Sequence, residues 1–202
     1  MKGFRLFFKR VATFIVKIFF PYKMYGTENI PEGKCVIVCN HYGLLDFAPF
    51  MRLKDKRTYF LAKEEAFKTK WIARFLHNYG AIPVNRESLS VNTVKECIKV
   101  LKDDKKLVIF PEGTRNKHGE ELQPIKGGAI MFATRTNSPV IPVMYAHKQK
   151  LFRKSKIIVG KPIDLSEFNG KKLNSDDIDK ITEIVSTEMI KLRQRLLIQI
   201  GK

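Results

Sequence analysis

The chain has 202 residues, 44% apolar and 29% charged, enough for one domain with a real core and unlike a disordered or fibrous composition. Thirty-eight Lys and Arg against twenty Asp and Glu leave a formal charge of +18, which calls for a polyanionic partner: nucleic acid, an anionic membrane surface or a phosphorylated substrate. The three cysteines argue against a disulfide framework and for a reducing compartment, since Cys35 and Cys39 on one strand stand about 13 Å apart. The four histidines are scattered, with no Cys/His spacing of a zinc site.

Residues 1–23 carry Lys2, Arg5, Lys9, Arg10, Lys17 and Lys23 and no acid. Their longest uncharged run, residues 11–16, is far short of the roughly 20 residues that span a bilayer, and it leaves no continuous signal-peptide core. At 100° per residue, Phe4, Phe7, Phe8, Val11, Phe14, Ile15, Ile18 and Phe19 share one face, and Arg5, Lys9, Arg10 and Lys17 take the other. Such a helix either docks on the protein's own core or lies in a membrane interface. The Phe-rich face and purely cationic opposite face favour the interface, and Pro21 ends the helix. The expected division is therefore a membrane-associating helix over 1–22 and one α/β domain over 23–202.

Strand-like and helix-like segments then alternate. Residues 34–40 (KCVIVCN) and 57–62 (RTYFLA) read as strands, and 64–80 reads as one helix opened by Glu64 and Glu65. A helix is predicted over 88–104, a central strand over 106–110, a helix over 126–136, and strands over 139–145 and 155–163. The last helix, about 176–199, has Ser175 as its expected N-cap. The alternation predicts a single α/β domain with a central mixed sheet flanked by helices, preceded by the amphipathic helix. A second acid-free zone, residues 122–163, gathers Lys148, Lys150, Arg153, Lys154, Lys156 and Lys161.

Two stretches carry candidate chemistry. In CNHYGLLDFAPF, His41 and Asp46 are five residues apart, about 140° around an ideal helix, so they cannot pair on one straight helix. They can pair if the chain leaves a strand at Asn40, turns at Tyr42-Gly43 and starts a helix near Leu44. Asp46 would then fix the tautomer of His41 and leave the other ring nitrogen as a base. By itself the spacing is equally compatible with two unrelated surface residues. In VIFPEGTRN, a strand runs into a turn at Glu112, Gly113, Thr114 and Arg115, at the strand edge where open α/β sheets bind ligands. Arg115 there is either a fork for phosphate oxygens or half of a surface pair with Glu112. Arg86, delivered by GAIPVNR, is a solvated arginine or a further cation for the same ligand.

The ordered set NHYGLLD, GAIPVNR, FPEGTR and VIPV, spread over roughly residues 25–165, resembles the lysophosphatidic acid acyltransferase family, the glycerolipid acyltransferases with an H-x4-D motif. The resemblance implies that His41 is the general base and Asp46 its orienting partner. It implies that Arg86 and Arg115 hold the acceptor's phosphate, with Glu112, Gly113 and Thr114 shaping that wall. The implied reaction moves an acyl group from an acyl-coenzyme A or acyl-carrier-protein thioester to the free sn-2 hydroxyl of 1-acyl-sn-glycerol-3-phosphate, giving phosphatidic acid in phospholipid biosynthesis. It implies no metal, no cofactor and no acyl-enzyme, and a peripheral, monotopic location on the cytoplasmic face of the cell membrane. Gly43 departs from the pattern, because the family usually has serine there. Another lysophospholipid or glycerol-3-phosphate stands as an alternative acceptor, and a non-catalytic anionic-membrane-binding protein as a remoter one. No nucleic-acid-binding motif accounts for the charge, and no G-x-S-x-G nucleophile elbow occurs.

Overall fold

The Val/Ile-rich runs become strands because β-branched side chains pack well on a pleated, buried surface. In this computed structural model, residues 18–52, 58–85, 88–117 and 122–201 are described. They form one sheet of seven strands: β1 (Tyr22–Tyr25), β2 (Cys35–Cys39), β3 (Thr58–Lys63), β4 (Ala81–Val84), β5 (Lys106–Ile109), β6 (Val140–Tyr145) and β7 (Ser155–Val159). Their order across the sheet is β1-β7-β6-β2-β5-β3-β4. Every neighbouring pair is parallel except β6 and β7, so the sheet is mixed, as expected from the sequence.

The central strand β2 is buried at every residue and feeds two cores by alternation. Val36 and Val38 face the core closed by α2 (Val91–Lys102), α3 (Gly128–Thr136) and α4 (Ser175–Gln199), with Leu101, Phe132 and Val185 among its members. Cys35, Ile37 and Cys39 face the other core, with Phe50, Phe60 and Tyr145, and α1 (Lys70–Asn78) leans on it through Leu76.

Four expectations are corrected. The segment 64–80 is not one helix but a 3-10 turn (Glu64–Phe67) followed by α1, because Phe67 and Leu76 pack on the same core and would stand about 180° apart on a continuous helix. No α-helix starts near Leu44. Turns over 44–47 lead into a 3-10 segment (Ala48–Arg52), held by the i to i−3 bonds Ala48 N–H to Leu45 and Phe50 N–H to Phe47. The N-cap of α4 is Asn174, not Ser175, because only Asn174 has an acid three residues on: its Oδ1 accepts from Asp177 N–H while Asp177 Oδ2 accepts from Asn174 N–H. The two edge strands, β1 and β4, were not anticipated as strands. Pro83 is tolerated in β4 because that strand is an edge.

The amphipathic helix expected over 1–22 lies outside the described residues except at its end, where residues 18 and 19 are helical and Pro21 leads into β1. Among the described residues no helix is long and apolar enough to cross a membrane.

Candidate active site

All five strands β2 to β6 run in one direction, so their C-terminal ends share an edge of the sheet. The chain leaving β2 at that edge is latched at once. Asn40 Oδ1 accepts from the Tyr145 N–H at 2.8 Å and its Nδ2 donates to the Tyr145 carbonyl at 3.3 Å, tying it to the end of β6. His41 follows, and both of its backbone groups are held by the turn after β5. Its N–H donates to Glu112 Oε1 at 2.6 Å, and its carbonyl accepts from the Asn116 N–H at 2.7 Å. The two motif stretches, whose His41 and Glu112 are 71 residues apart in sequence, are thereby zipped together.

The bend required for pairing is present. His41 Nδ1 lies 2.9 Å from Asp46 Oδ2, and the same oxygen accepts from the backbone N–H groups of Tyr42 (2.6 Å) and Gly43 (2.7 Å). Asp46 is fully buried and His41 is 9% exposed, so the pair is screened from bulk water. Asp46 Oδ1 has no hydrogen-bond partner among the described residues. The Asp46 carbonyl accepts from the Tyr145 hydroxyl at 2.8 Å, which fixes the loop from behind. The His41 ring stacks on Phe110 at 4.3 Å between centroids. With Nδ1 occupied by the carboxylate, Nε2 is the nitrogen left to exchange a proton with a ligand.

A cavity of about 530 Å³ opens against this ring. Its walls are mostly apolar, from Leu44, Phe47, Phe60, Leu76, Ile109 and Phe132, and its cationic members are Lys63, Arg115 and Lys126. Such a cavity takes a long hydrocarbon together with an anionic group. Gly113 contributes through its absent side chain: at φ +69° it occupies the left-handed region, and a Cβ there would meet the Lys126 stem at 3.1 Å. Lys126 thus lies across Gly113 and reaches the cavity, held by its N–H bond to the Pro111 carbonyl at 2.8 Å. Gly128, in the first turn of α3, also lines the cavity and brings a helix N-terminus toward it.

The residues singled out from sequence are thus not equivalent. His41, Gly113 and Arg115 line the cavity, and Asp46 stands behind His41. Glu112 is buried and turned into the protein, where Oε1 and Oε2 accept from the N–H groups of His41 and Gln123; it braces the loop and forms no pair with Arg115. Burial pushes its carboxyl up, opposed by those two backbone bonds. Thr114 is exposed and its hydroxyl donates to Gln123 Oε1 at 3.1 Å, away from the cavity wall. Arg86 lies outside the described residues, next to Asn85, which does line the cavity. Sequence reading missed Lys126, Asn40 and Tyr145. The first carried a weak signal, a lysine directly before two glycines at a helix start; the other two act through distant strand pairing.

A buried His–Asp pair at the strand edge, beside an apolar cavity with cations on its wall, defines a centre of the H-x4-D acyl-transfer class. A family model for acyltransferases matches residues 21–146. The chain is 32% identical over 181 residues to the 1-acyl-sn-glycerol-3-phosphate acyltransferase of Bacillus subtilis, covering 86% of this chain and 89% of that one. It is 27% identical to the enzyme of the same name from Streptococcus pneumoniae, covering 95% and 75% of the two chains. The crystal structure of the 1-acyl-sn-glycerophosphate acyltransferase of Thermotoga maritima superposes with a TM-score of 0.65 at 25% identity, covering 95% of this chain and 79% of that chain. This chain belongs to the acyltransferase family, among the 1-acyl-sn-glycerol-3-phosphate acyltransferases.

Proposed function

We propose that the protein transfers a fatty acyl group from a coenzyme A or carrier-protein thioester to the sn-2 hydroxyl of 1-acyl-sn-glycerol-3-phosphate, yielding phosphatidic acid. The observation that carries this reading is the His41 Nδ1 to Asp46 Oδ2 contact of 2.9 Å at the wall of an apolar cavity that also holds Arg115 and Lys126. Nε2 of His41 takes the hydroxyl proton as the oxygen attacks the thioester carbonyl. The tetrahedral adduct collapses, the C–S bond breaks, and the thiolate takes the proton back from the imidazolium. The Asp46 carboxylate, held against Nδ1, stabilises the imidazolium in a site shielded from water. The thioester is already an activated donor, so the transfer runs without an acyl-enzyme, metal or cofactor, and positioning carries much of the rate.

Arg115 and Lys126 hold the acceptor's phosphate beside the N-terminus of α3, and the apolar wall receives an acyl chain. Arg86 is a third candidate for the same phosphate. The enzyme works peripherally on the cytoplasmic face of the membrane, where its acceptor and product reside. The test is thiol release by the purified full chain with lysophosphatidic acid, glycerol-3-phosphate and lysophosphatidylcholine as acceptors and both donor types. Turnover is expected with lysophosphatidic acid, with phosphatidic acid as the product by mass. Turnover confined to another acceptor, or none, overturns the assignment.

A further inference from the structure

The edge that carries the His–Asp pair also carries a second set of residues. Because β7 runs against β6, the loop between them, residues 146–154, sits at the C-terminal edge of β6, as does the start of β1. This loop is built outward. Leu151 and Phe152 are 54% and 62% exposed, and Lys148, Lys150, Arg153 and Lys154 around them are exposed as well. No acid occurs anywhere from residue 122 to 163 to neutralise them.

The loop is also held in place. Phe152 adopts φ +56°, a left-handed conformation that bulky residues avoid, so something must compensate for it. Its N–H donates to the Phe19 carbonyl at 2.7 Å, and its ring meets the Phe19 ring at 5.2 Å. Phe19 and its neighbour Ile18 are themselves exposed. Ser155 N–H then bonds the Pro21 carbonyl at 2.8 Å. The loop is joined to the catalytic turn as well: Gln149 Nε2 donates to the Tyr145 hydroxyl at 3.0 Å, and that hydroxyl donates to the Asp46 carbonyl at 2.8 Å.

A strained backbone that presents two exposed, large apolar side chains flanked in the loop by four exposed cations fits one surface chemistry: acyl chains beneath anionic headgroups. An acidic protein would match the charge, but it gives no reason to spend strain on an exposed Phe. We infer that the β6–β7 loop is a membrane-insertion element, with Leu151 and Phe152 entering an anionic bilayer, that seats the sheet edge bearing His41 on the lipid surface. The inference rests on the acyltransferase reading only for the use of that seating, since bilayer contact is measured separately from turnover.

The sole tryptophan, Trp71, lies on α1 away from the cavity wall, so the full-length double variant Trp71→Phe/Phe152→Trp reports on the loop alone. On phosphatidylglycerol-containing vesicles its emission shifts to the blue and is quenched by brominated lipid, and on phosphatidylcholine vesicles the effect is several-fold weaker. Phe152→Gly, which relieves the left-handed strain, keeps or raises Tm and keeps turnover of a monomeric short-chain acceptor, but loses severalfold on vesicle-borne acceptor. Unquenched tryptophan on anionic vesicles, or Phe152→Gly with unchanged vesicle turnover, overturns the inference. So does a Lys148→Glu/Arg153→Glu variant that still inserts but no longer uses a carrier-protein donor, because the loop would then dock an acidic protein. Quenching without any acyl transfer would leave the membrane element standing and remove the proposed reaction instead.

Discussion

A Cβ placed on Gly43 would stand 3.5 Å from Asp46 Oδ1, the carboxylate oxygen that lacks a partner among the described residues, and would meet nothing else of those residues within 4 Å. Gly43 is also the position where the family pattern usually has serine. Its φ lies outside the left-handed region, so a side chain fits without backbone strain. Gly43→Ser should place a hydroxyl donor against Oδ1, raising stability by about 1 kcal/mol, or roughly 2–4 °C in Tm. It should also raise kcat with little change in either KM, because a more firmly held Asp46 orients His41 better. Gly43→Ala is the control, filling the space without a donor. A serine variant no better than alanine in both Tm and kcat would show that Oδ1 needs no donor.

Arg115 and Lys126 both line the cavity and come from separate segments, the turn after β5 and the start of α3, so each should contribute separately to acceptor binding. Charge-assisted hydrogen bonds to a phosphate are worth about 1.5–3 kcal/mol, or roughly ten- to a hundredfold in affinity. Arg115→Ala and Lys126→Ala should each raise the acceptor KM on that scale while donor KM and kcat change little. If acceptor KM stays put in the lysine variant, Lys126 is only packing against Gly113.

The thiols offer a test of the fold itself. Cys35, Cys39 and Cys97 are all buried, and burial pushes Cys35 and Cys97 up to about 12 and holds Cys39 well above the ordinary thiol value. Native protein at pH 8 should therefore resist maleimide or disulfide reagents, and three thiols should appear after guanidinium unfolding. Rapid labelling of any one in the native state would contradict its place in the sheet or on α2.

The order of strands and helices was legible because it is written in periodicity, and the core strand CVIVC reads as buried from its composition alone. The His–Asp pair was legible as a geometric condition, a bend between residues 41 and 46, and the bend is there. Its mechanism was not: a helix near Leu44 looked necessary, whereas the Asp46 carboxylate makes the turn itself by collecting the N–H groups of Tyr42 and Gly43. The role of Glu112 was hidden for a related reason. A glutamate two residues after a strand and three before an arginine looks like a ligand wall or a surface pair. Only the β2–β5 pairing shows that His41 N–H is within its reach. Lys126 depends on a left-handed glycine thirteen residues earlier, a relation that no periodicity records.

Glu112 also makes the stability of the fold depend on pH. Its folded pKa is raised above the ordinary 4.5, first by burial, against the lowering effect of the bonds from His41 and Gln123. Between 4.5 and the raised value the folded state holds more protons than the unfolded one, so stability falls as pH rises through that window. Its contribution is full below 4.5 and is lost once pH passes the folded value. Glu112→Gln cannot titrate and offers one acceptor oxygen where two N–H donors wait, so it should be less stable by about 1–3 kcal/mol. It should also lose kcat, because the His41 backbone is no longer pinned at 2.6 Å. In thermal melts from pH 4 to 8, the stability gap between the native protein and Glu112→Gln should narrow as pH rises. A gap that widens with pH would mean that the two backbone hydrogen bonds outweigh burial, and that Glu112 works as an anchored anion.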